Sequence, residues 1–357
     1  MRILHVASGR EWRGGQRQTW LLARGLARIP GISQTIVTAR DGELARRLEE
    51  AALPVRGAKW RWGLDPRAAF TVWLAARGAD LLHAHDAHAV TLAAVAARLT
   101  HQPFIATRRM TRPLRRPGPW RRATRVIAIS GPVRDTLVRS GIASERIEVI
   151  PPAIEVDRTS QVKPIEWFHA YGIPLQSPVV VTVAALTREK GIDTLLEAAA
   201  AIHPRLPQLH WVVAGDGVER PALETRAGAL HTRPYVHFVG HLSDPLPVIS
   251  GAAVLVLPSR EEGFGSVILD AMALGIPVAA SAVGGVPEAL AGGGGELVPA
   301  GDGAALAAVV ERMVGDVAHR MRLGESGRRA VRRFDLDAMV ERVVAVYRSV
   351  KESIEAQ

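Results

Sequence analysis

Two carboxylates, Glu262 and Asp270, flank a Gly-Phe-Gly turn in EEGFGSVILDAMALGIPVAAS, residues 261–281. Gly263 and Gly265, on either side of Phe264, let the backbone come close to a bound group. The N–H groups of Ser266 and Val267 leave the start of a helix toward any anion. Carboxylates accept pairs of hydrogen bonds, and vicinal diols supply such pairs, so acids on both sides of a phosphate nest suit a ligand that joins a diphosphate to sugar rings. A second group stands in VAALTREKGIDTLLEAAA, where Arg188 and Lys190 precede a helix. Cations at that end oppose the helix dipole, a poor choice for the helix and a good one for a diphosphate.

Two further places lie near the N-terminus. SGREWRGGQ sets Gly14 and Gly15 directly before a helix, where bare N–H groups can meet an anion. The spacing is not the GxGxxG of dinucleotide sites, which argues against nicotinamide or flavin chemistry. HAHDAH holds His83, His85, Asp86 and His88. Alternate residues of a strand share a face, so His83 and His85 can reach one site, and a metal reading stands beside hydrogen bonding to a substrate by His85 or Asp86.

These residues need elements to position them. Apolar runs at 2–8, 34–39, 79–85, 103–108, 125–130 and 146–151 read as buried strands separated by helical segments, among them 15–29 and 89–99. The alternation lapses after Pro151 and Pro152 through a proline-containing connection, with a short helix expected at 164–171. It resumes with strands at 179–185, 210–215, 235–240, 253–258 and 277–282. Met339, Val343, Val346, Tyr347 and Val350 fall at helical spacing in a closing segment with Asp335 as N-cap. The expected class is α/β with two doubly wound parallel-sheet domains, 1–157 and 158–336. In doubly wound sheets ligands bind beyond the carboxyl ends of the strands, where every motif above lies.

The 357 residues, 48% hydrophobic and 22% charged, can bury a sizeable core. Cysteine is absent, which removes disulfides, thiolate metal sites and thiol nucleophiles. No apolar run reaches membrane-spanning length, so a cytoplasmic protein with peripheral membrane contact is expected. Residues 1–157 hold 26 Lys+Arg against 13 Asp+Glu, near +13, and the remainder 19 against 22, near −3. The densest basic run, RRMTRPLRRPGPWRRATR (108–125), contains Arg108, Arg109, Arg112, Arg115, Arg116, Arg121, Arg122 and Arg125 without an acid. It reads either as a solvated loop or as a contact for a phosphate-bearing acceptor or an anionic leaflet, with Trp120 and Leu114 at the interface. Nucleic acid ranks last, since Trp120 alone interleaves the arginines.

EEGFGSVILDAMALGIPVAASAVGGVPEAL, together with LTREKGIDTLLEA, VVAGDGVER, VIAISGPVRDTLVRSGIASERIEVIPPAIE and RGGQRQTWLLARGLA, resembles glycosyltransferase family 4 of the GT-B fold over nearly the whole chain. The resemblance implies two Rossmann-like domains facing across a cleft, with the helix at 337–357 returning to complete the N-terminal one. It implies a metal-independent, cofactor-free, retaining transferase that takes a sugar from a UDP-, GDP- or other nucleoside diphosphate donor. The C-terminal domain would hold the donor, and the N-terminal domain a glycan or lipid-linked, anionic acceptor at the inner face of the plasma membrane. Glu262 matches the first Glu of the family's Glu-x7-Glu motif, which contacts the donor sugar. Asp270 replaces the second, which holds the ribose, and is one methylene shorter. Lys190 matches the diphosphate lysine. The family often has Gly-Arg where this chain has Ala184-Ala185, so Arg188 would supply the second charge. Gly14 and Gly15 match the loop facing the diphosphate. Many members carry a His where this chain reads Thr107-Arg108-Arg109; arginine cannot act as a base near neutral pH, so Arg108 and Arg109 would bind acceptor phosphate or the departing diphosphate. No metal belongs at HAHDAH. An epimerase, a hydrolase or a phosphorylase on the same fold would share these features.

Overall fold

Runs such as ILHVA and VVVTV are apolar on both sides because helices cover both faces of a parallel sheet. The computed structural model describes residues 1–61 and 64–355. Its first sheet contains β1 (Arg2–Ala7), β2 (Ser33–Ala39), β3 (Val55–Ala58), β4 (Leu81–Ala84), β5 (Phe104–Arg108), β6 (Arg125–Ala128) and β7 (Ile147–Val149), in the order β3-β2-β1-β4-β5-β6-β7. The second contains β8 (Val179–Val183), β9 (His210–Ala214), β10 (Val236–Gly240), β11 (Val254–Leu257), β12 (Val278–Ser281) and β13 (Gly295–Val298), in the order β10-β9-β8-β11-β12-β13. Every pairing in both sheets is parallel.

Both orders reverse direction at one place, between β1 and β4 and again between β8 and β11. Loops leaving adjacent strands on opposite sides of such a point diverge and leave a crevice at the carboxyl ends. The glycine loop follows β1, HAHDAH runs from the last two residues of β4 into the next loop, and the Arg188–Lys190 turn and the Glu262 loop follow β8 and β11. Two strands escape the sequence reading. β3 (VRGA) and β13 (GELV) pair along one edge only and need no continuous apolar run.

The chain forms two compact units: Met1–Ala153 with the helix from Leu336, and Ile154–Asp335. The passages fall at 153/154 and 335/336, against 157/158 and 336/337 in the sequence reading. Ile154 already belongs to the second unit, where its N–H donates to the Phe334 carbonyl and it bridges to Asp335. The connection carries two short helices, Val156–Ser160 and Trp167–Tyr171.

The Leu336–Glu355 helix closes the first unit; residues 356–357 of the expected helix lie outside the described residues. Leu336, Val340, Val343, Tyr347 and Val350 bury against Ile3, Leu22 and Leu26. Gly25 permits this approach, because a Cβ there would overlap the Val340 methyl. Tyr347 is fully buried, with its hydroxyl 2.6 Å from His83 Nδ1, while His83 Nε2 lies 2.7 Å from the Thr107 hydroxyl. A neutral imidazole satisfies both bonds by accepting one and donating the other. His5 Nδ1 stands 2.9 Å from His85 Nε2, which completes a buried set of three rings.

Burial pushes His5 down to about 3 and holds His83 and His85 well below the ordinary histidine value; neighbouring imidazoles and Arg109 add to the effect on the latter two. The unfolded chain then binds protons that the folded unit refuses. Stability is present above the unfolded pKa of about 6.5 and is lost as pH falls below it. Denaturant titrations at pH 7.5 and pH 5.5 are expected to differ by roughly 1.4 kcal/mol per buried ring, about 4 kcal/mol in all; equal values would mean that the rings are hydrated. Gly25→Ala is expected to cost about 1–3 kcal/mol by overpacking, and Val340→Ala on that background to recover most of the loss, both read from unfolding midpoints.

Candidate active site

In the second unit, three loops leaving β8, β9 and β11 interlock before any ligand is considered. The Leu186 N–H donates to the Asp216 carbonyl at 2.9 Å, and the Glu219 N–H donates to the Leu186 carbonyl at 3.0 Å, so GDGVE clasps the loop after β8. From the other side, the Arg260 N–H donates to the Glu189 carbonyl at 2.8 Å, and the Arg260 guanidinium grips Asp193 through two bonds of 2.6 and 2.7 Å. Gly191, with φ of 64°, brings the loops into contact; a Cβ there would overlap the Pro258 carbonyl oxygen. Sequence reasoning missed Arg260 and Asp193. They lie 67 residues apart, and only the neighbouring of β8 and β11 joins them.

This frame delivers Lys190 to Glu262. Lys190 Nζ stands 2.6 Å from Glu262 Oε2, with the two side chains 23% and 15% exposed. The other oxygen, Oε1, accepts the Gly263 N–H at 3.2 Å. An ammonium held by one carboxylate oxygen keeps further N–H donors for a second anion. Gly265 caps the Ser266–Leu274 helix in the left-handed region, without a side-chain cap or an acid in the first turn. The half-buried Ser266 and Val267 therefore begin a helix whose positive end is unopposed by its own side chains. Arg188 extends from the same turn as Lys190 with its side chain exposed. The Phe264 ring is buried edge-on against Phe334, so what this residue offers a ligand is backbone. Asp270 sits one turn into the helix, buried at 1% exposure.

In the first unit the expected residues divide differently. Gly14 and Gly15 open the Gly14–Leu26 helix, and a Cβ at Gly15 would lie 3.5 Å from Arg109 Cδ. Arg109 reaches the His85 carbonyl with Nη1 at 3.5 Å. Burial lowers its guanidinium to about 10, with the Asp86 charge opposing, so it remains a cation at neutral pH. Glycine loop and arginine thus meet at the β1/β4 crossover.

Four expectations meet a different placement. Asp86 accepts from the Ser8 N–H at 2.6 Å, the Ser8 hydroxyl and the Ala89 N–H at 3.0 Å, and so caps the Ala87–Thr100 helix. The His85 ring turns inward and stacks on His5. Arg108 is buried, donates to the carbonyls of Met110 and Arg112, and lies 5.6 Å over the Trp120 ring, so it braces the loop. Trp120 itself is buried, which removes it from an interface, and the half-buried Leu114 packs on the same core. His5, His83 and His85 each offer a nitrogen within 4.8 Å of the others, a spacing open to a metal, yet both nitrogens of His83 already bond to Tyr347 and Thr107.

Comparison with known proteins agrees with this geometry. Residues 12–158 match the family described as Glycosyltransferase Family 4, and residues 165–330 match Glycosyl transferases group 1. The chain is 29% identical over 320 residues to a phosphatidyl-myo-inositol mannosyltransferase of Mycobacterium leprae, covering 84% of this chain and 82% of that one. It is 35% identical over 155 residues to the lipopolysaccharide core biosynthesis glycosyltransferase LpsE of Rhizobium meliloti, covering 43% and 44%. The fold superposes with a TM-score of 0.87 on HepE of Anabaena in complex with UDP and glucose, at 21% identity and covering 98% and 100%. The chain belongs to glycosyltransferase family 4 and is a glycosyltransferase with the GT-B fold.

Proposed function

We propose that the second unit holds a nucleoside diphosphate sugar and that the sugar passes, with retention of configuration, to a hydroxyl of an acceptor bound by the first unit. The observation that carries this reading is the Lys190–Glu262 pair beside the start of the Ser266–Leu274 helix. It sets a cation, a hydroxyl acceptor and free N–H groups at the crossover of one sheet. The diphosphate takes Lys190, Arg188 and the N–H groups at 265–267, while Glu262 and Asp270 accept from the sugar and ribose hydroxyls. As the bond from the anomeric carbon to phosphate oxygen breaks, charge grows on the diphosphate, where these groups are already in position. The acceptor oxygen attacks from the same face, and its proton goes to a phosphate oxygen. The protein supplies the positive charge, and the proposal includes neither metal nor cofactor.

Arg109, beside the Gly14–Gly15 loop at the β1/β4 crossover of the first unit, offers its cation to the acceptor. The exposed arginines after residue 111 favour an anionic, lipid-linked acceptor of the cell envelope, handled at the inner face of the membrane. Relatives named for a phosphatidyl-inositol acceptor and for lipopolysaccharide core synthesis support that class.

A thermal-shift panel of nucleoside diphosphate sugars is expected to raise the unfolding midpoint for the true donor by mass action. Lys190→Ala is expected to abolish that shift and lower kcat about 10²–10³-fold, with Glu262→Gln lowering kcat/KM comparably. Near-normal transfer by both variants refutes the reading, and free sugar released from donor alone at the full rate assigns a hydrolase. Arg109→Ala is expected to raise the acceptor KM roughly tenfold, the worth of one charge-assisted bond, with the donor KM unchanged.

A further inference from the structure

One side of the seven-stranded sheet carries the helices Pro66–Ala76, Ala87–Thr100 and Pro117–Arg121, each packed on the next. Small residues face the sheet: Ala68, Val72 and Ala76 on the first, and Ala89, Ala93 and Ala96 on the second. Large apolar ones face away from it. Phe70 and Leu74 are 60% and 46% exposed, and Val95 and Leu99 are 49% and 61%. Each pair is spaced four apart, so each forms a stripe along its helix. Arg67 and Arg77 end the first stripe, Arg98 adjoins the second, and Arg115, Arg116, Arg121 and Arg122 are exposed on and beside the third helix. The segments between Asp65 and Asp80 and between Asp86 and Asp135 contain no acid, and Asp65 and Asp86 are themselves spent as helix caps.

A phenylalanine and leucine surface on helices whose charged residues are all cationic has a specific complement. A bilayer of anionic phospholipid offers negative charge at the headgroups and an apolar layer just beneath, at the depth a helix lying on the surface can reach. The Phe70 ring stands 5.7 Å from the Trp73 ring, and the Arg77 guanidinium lies 5.5 Å over that indole, which fixes the aromatic stripe against a charge. At the N-terminal end of the stripe, Arg40, Lys59 and Arg67 converge with Phe70 on a cleft of about 400 Å³. No helix among the described residues is long and apolar enough to cross a membrane, so contact on this face is interfacial.

We propose that this face docks the chain onto anionic phospholipid, with Phe70, Leu74 and Leu99 entering the headgroup boundary and Arg40, Lys59 and Arg67 taking a lipid phosphate. The inference does not depend on the reaction assigned above. Its test is cosedimentation of the full chain with vesicles of phosphatidylcholine alone and of phosphatidylcholine mixed with phosphatidylglycerol, at low and high salt. Binding to the mixed vesicles alone is expected, at least tenfold weaker in Phe70→Ser/Leu74→Ser, whose unfolding midpoint and transfer to a soluble acceptor stay unchanged. Arg67→Ala/Lys59→Ala is expected to weaken binding and to flatten its salt dependence. Val218→Ser, at a site 84% exposed on the second unit, serves as the control and is expected to bind like the parent. Equal binding by the Phe70/Leu74 variant overturns the proposal, as does equal binding to neutral vesicles, or retention on nucleic acid with none on vesicles.

Discussion

Lys190 and Glu262 lie 72 residues apart in the chain and 2.6 Å apart in the fold because β8 and β11 are adjacent at the crossover of the second sheet. A parallel strand cannot be joined to its neighbour by a tight turn, so residues that meet at such a point are always distant in sequence. Their contact holds only as well as the loops that carry them. Here the Arg260–Asp193 grip and the backbone bonds to Glu189 and Leu186 hold those loops, and neither grip nor bonds need a ligand. The site is therefore organised without a ligand, which is the condition for electrostatic stabilisation without reorganisation during reaction.

Most of the architecture could be read from the sequence because buried parallel strands must be apolar throughout. β3 and β13 could not, since an edge strand with one partner tolerates the Arg of VRGA and the Glu of GELV. The site was legible by residue and not by pairing. Glycine turn, lysine and acids announce phosphate and hydroxyl chemistry, but nothing local says that Glu262 binds Lys190 or that Arg260 belongs with Asp193. The reverse holds for HAHDAH. Strand alternation correctly puts His83 and His85 on one face, and it is silent about what that face meets, which is His5, Thr107 and the Tyr347 hydroxyl of a helix 264 positions away. Trp120 misled for a related reason: an indole among arginines looks the same in sequence whether the ring turns outward or inward under Arg108.

The two units use charge in opposite ways. In the second, three cations near the loops are already matched: Lys190 with Glu262, Arg260 with Asp193, and Arg220 with Asp216 and Glu224. An anion that comes to Lys190 has to share its ammonium with a carboxylate, which discounts part of the attraction. In the first unit the helices from residue 66 to residue 122 leave their arginines exposed with no acid beyond the caps, so the field there is standing and uncompensated.

That contrast bears on what each unit can recognise. A matched pair is specific, because an anion gains from sharing the ammonium only where geometry lets it reach the helix N–H groups as well. An unmatched array is permissive, because any dense anionic surface satisfies it, and discrimination must come from groups that charge alone does not serve. Phe70, Leu74 and Leu99 supply that second requirement, since a soluble polyanion offers them nothing and a bilayer does. The same division explains why Arg109 differs from the other arginines of its run. Arg108, also buried, is spent on the carbonyls of its own loop, whereas Arg109, wedged beside Gly15 and the His85 carbonyl, keeps its charge at the crossover of β1 and β4 and not at the outer face.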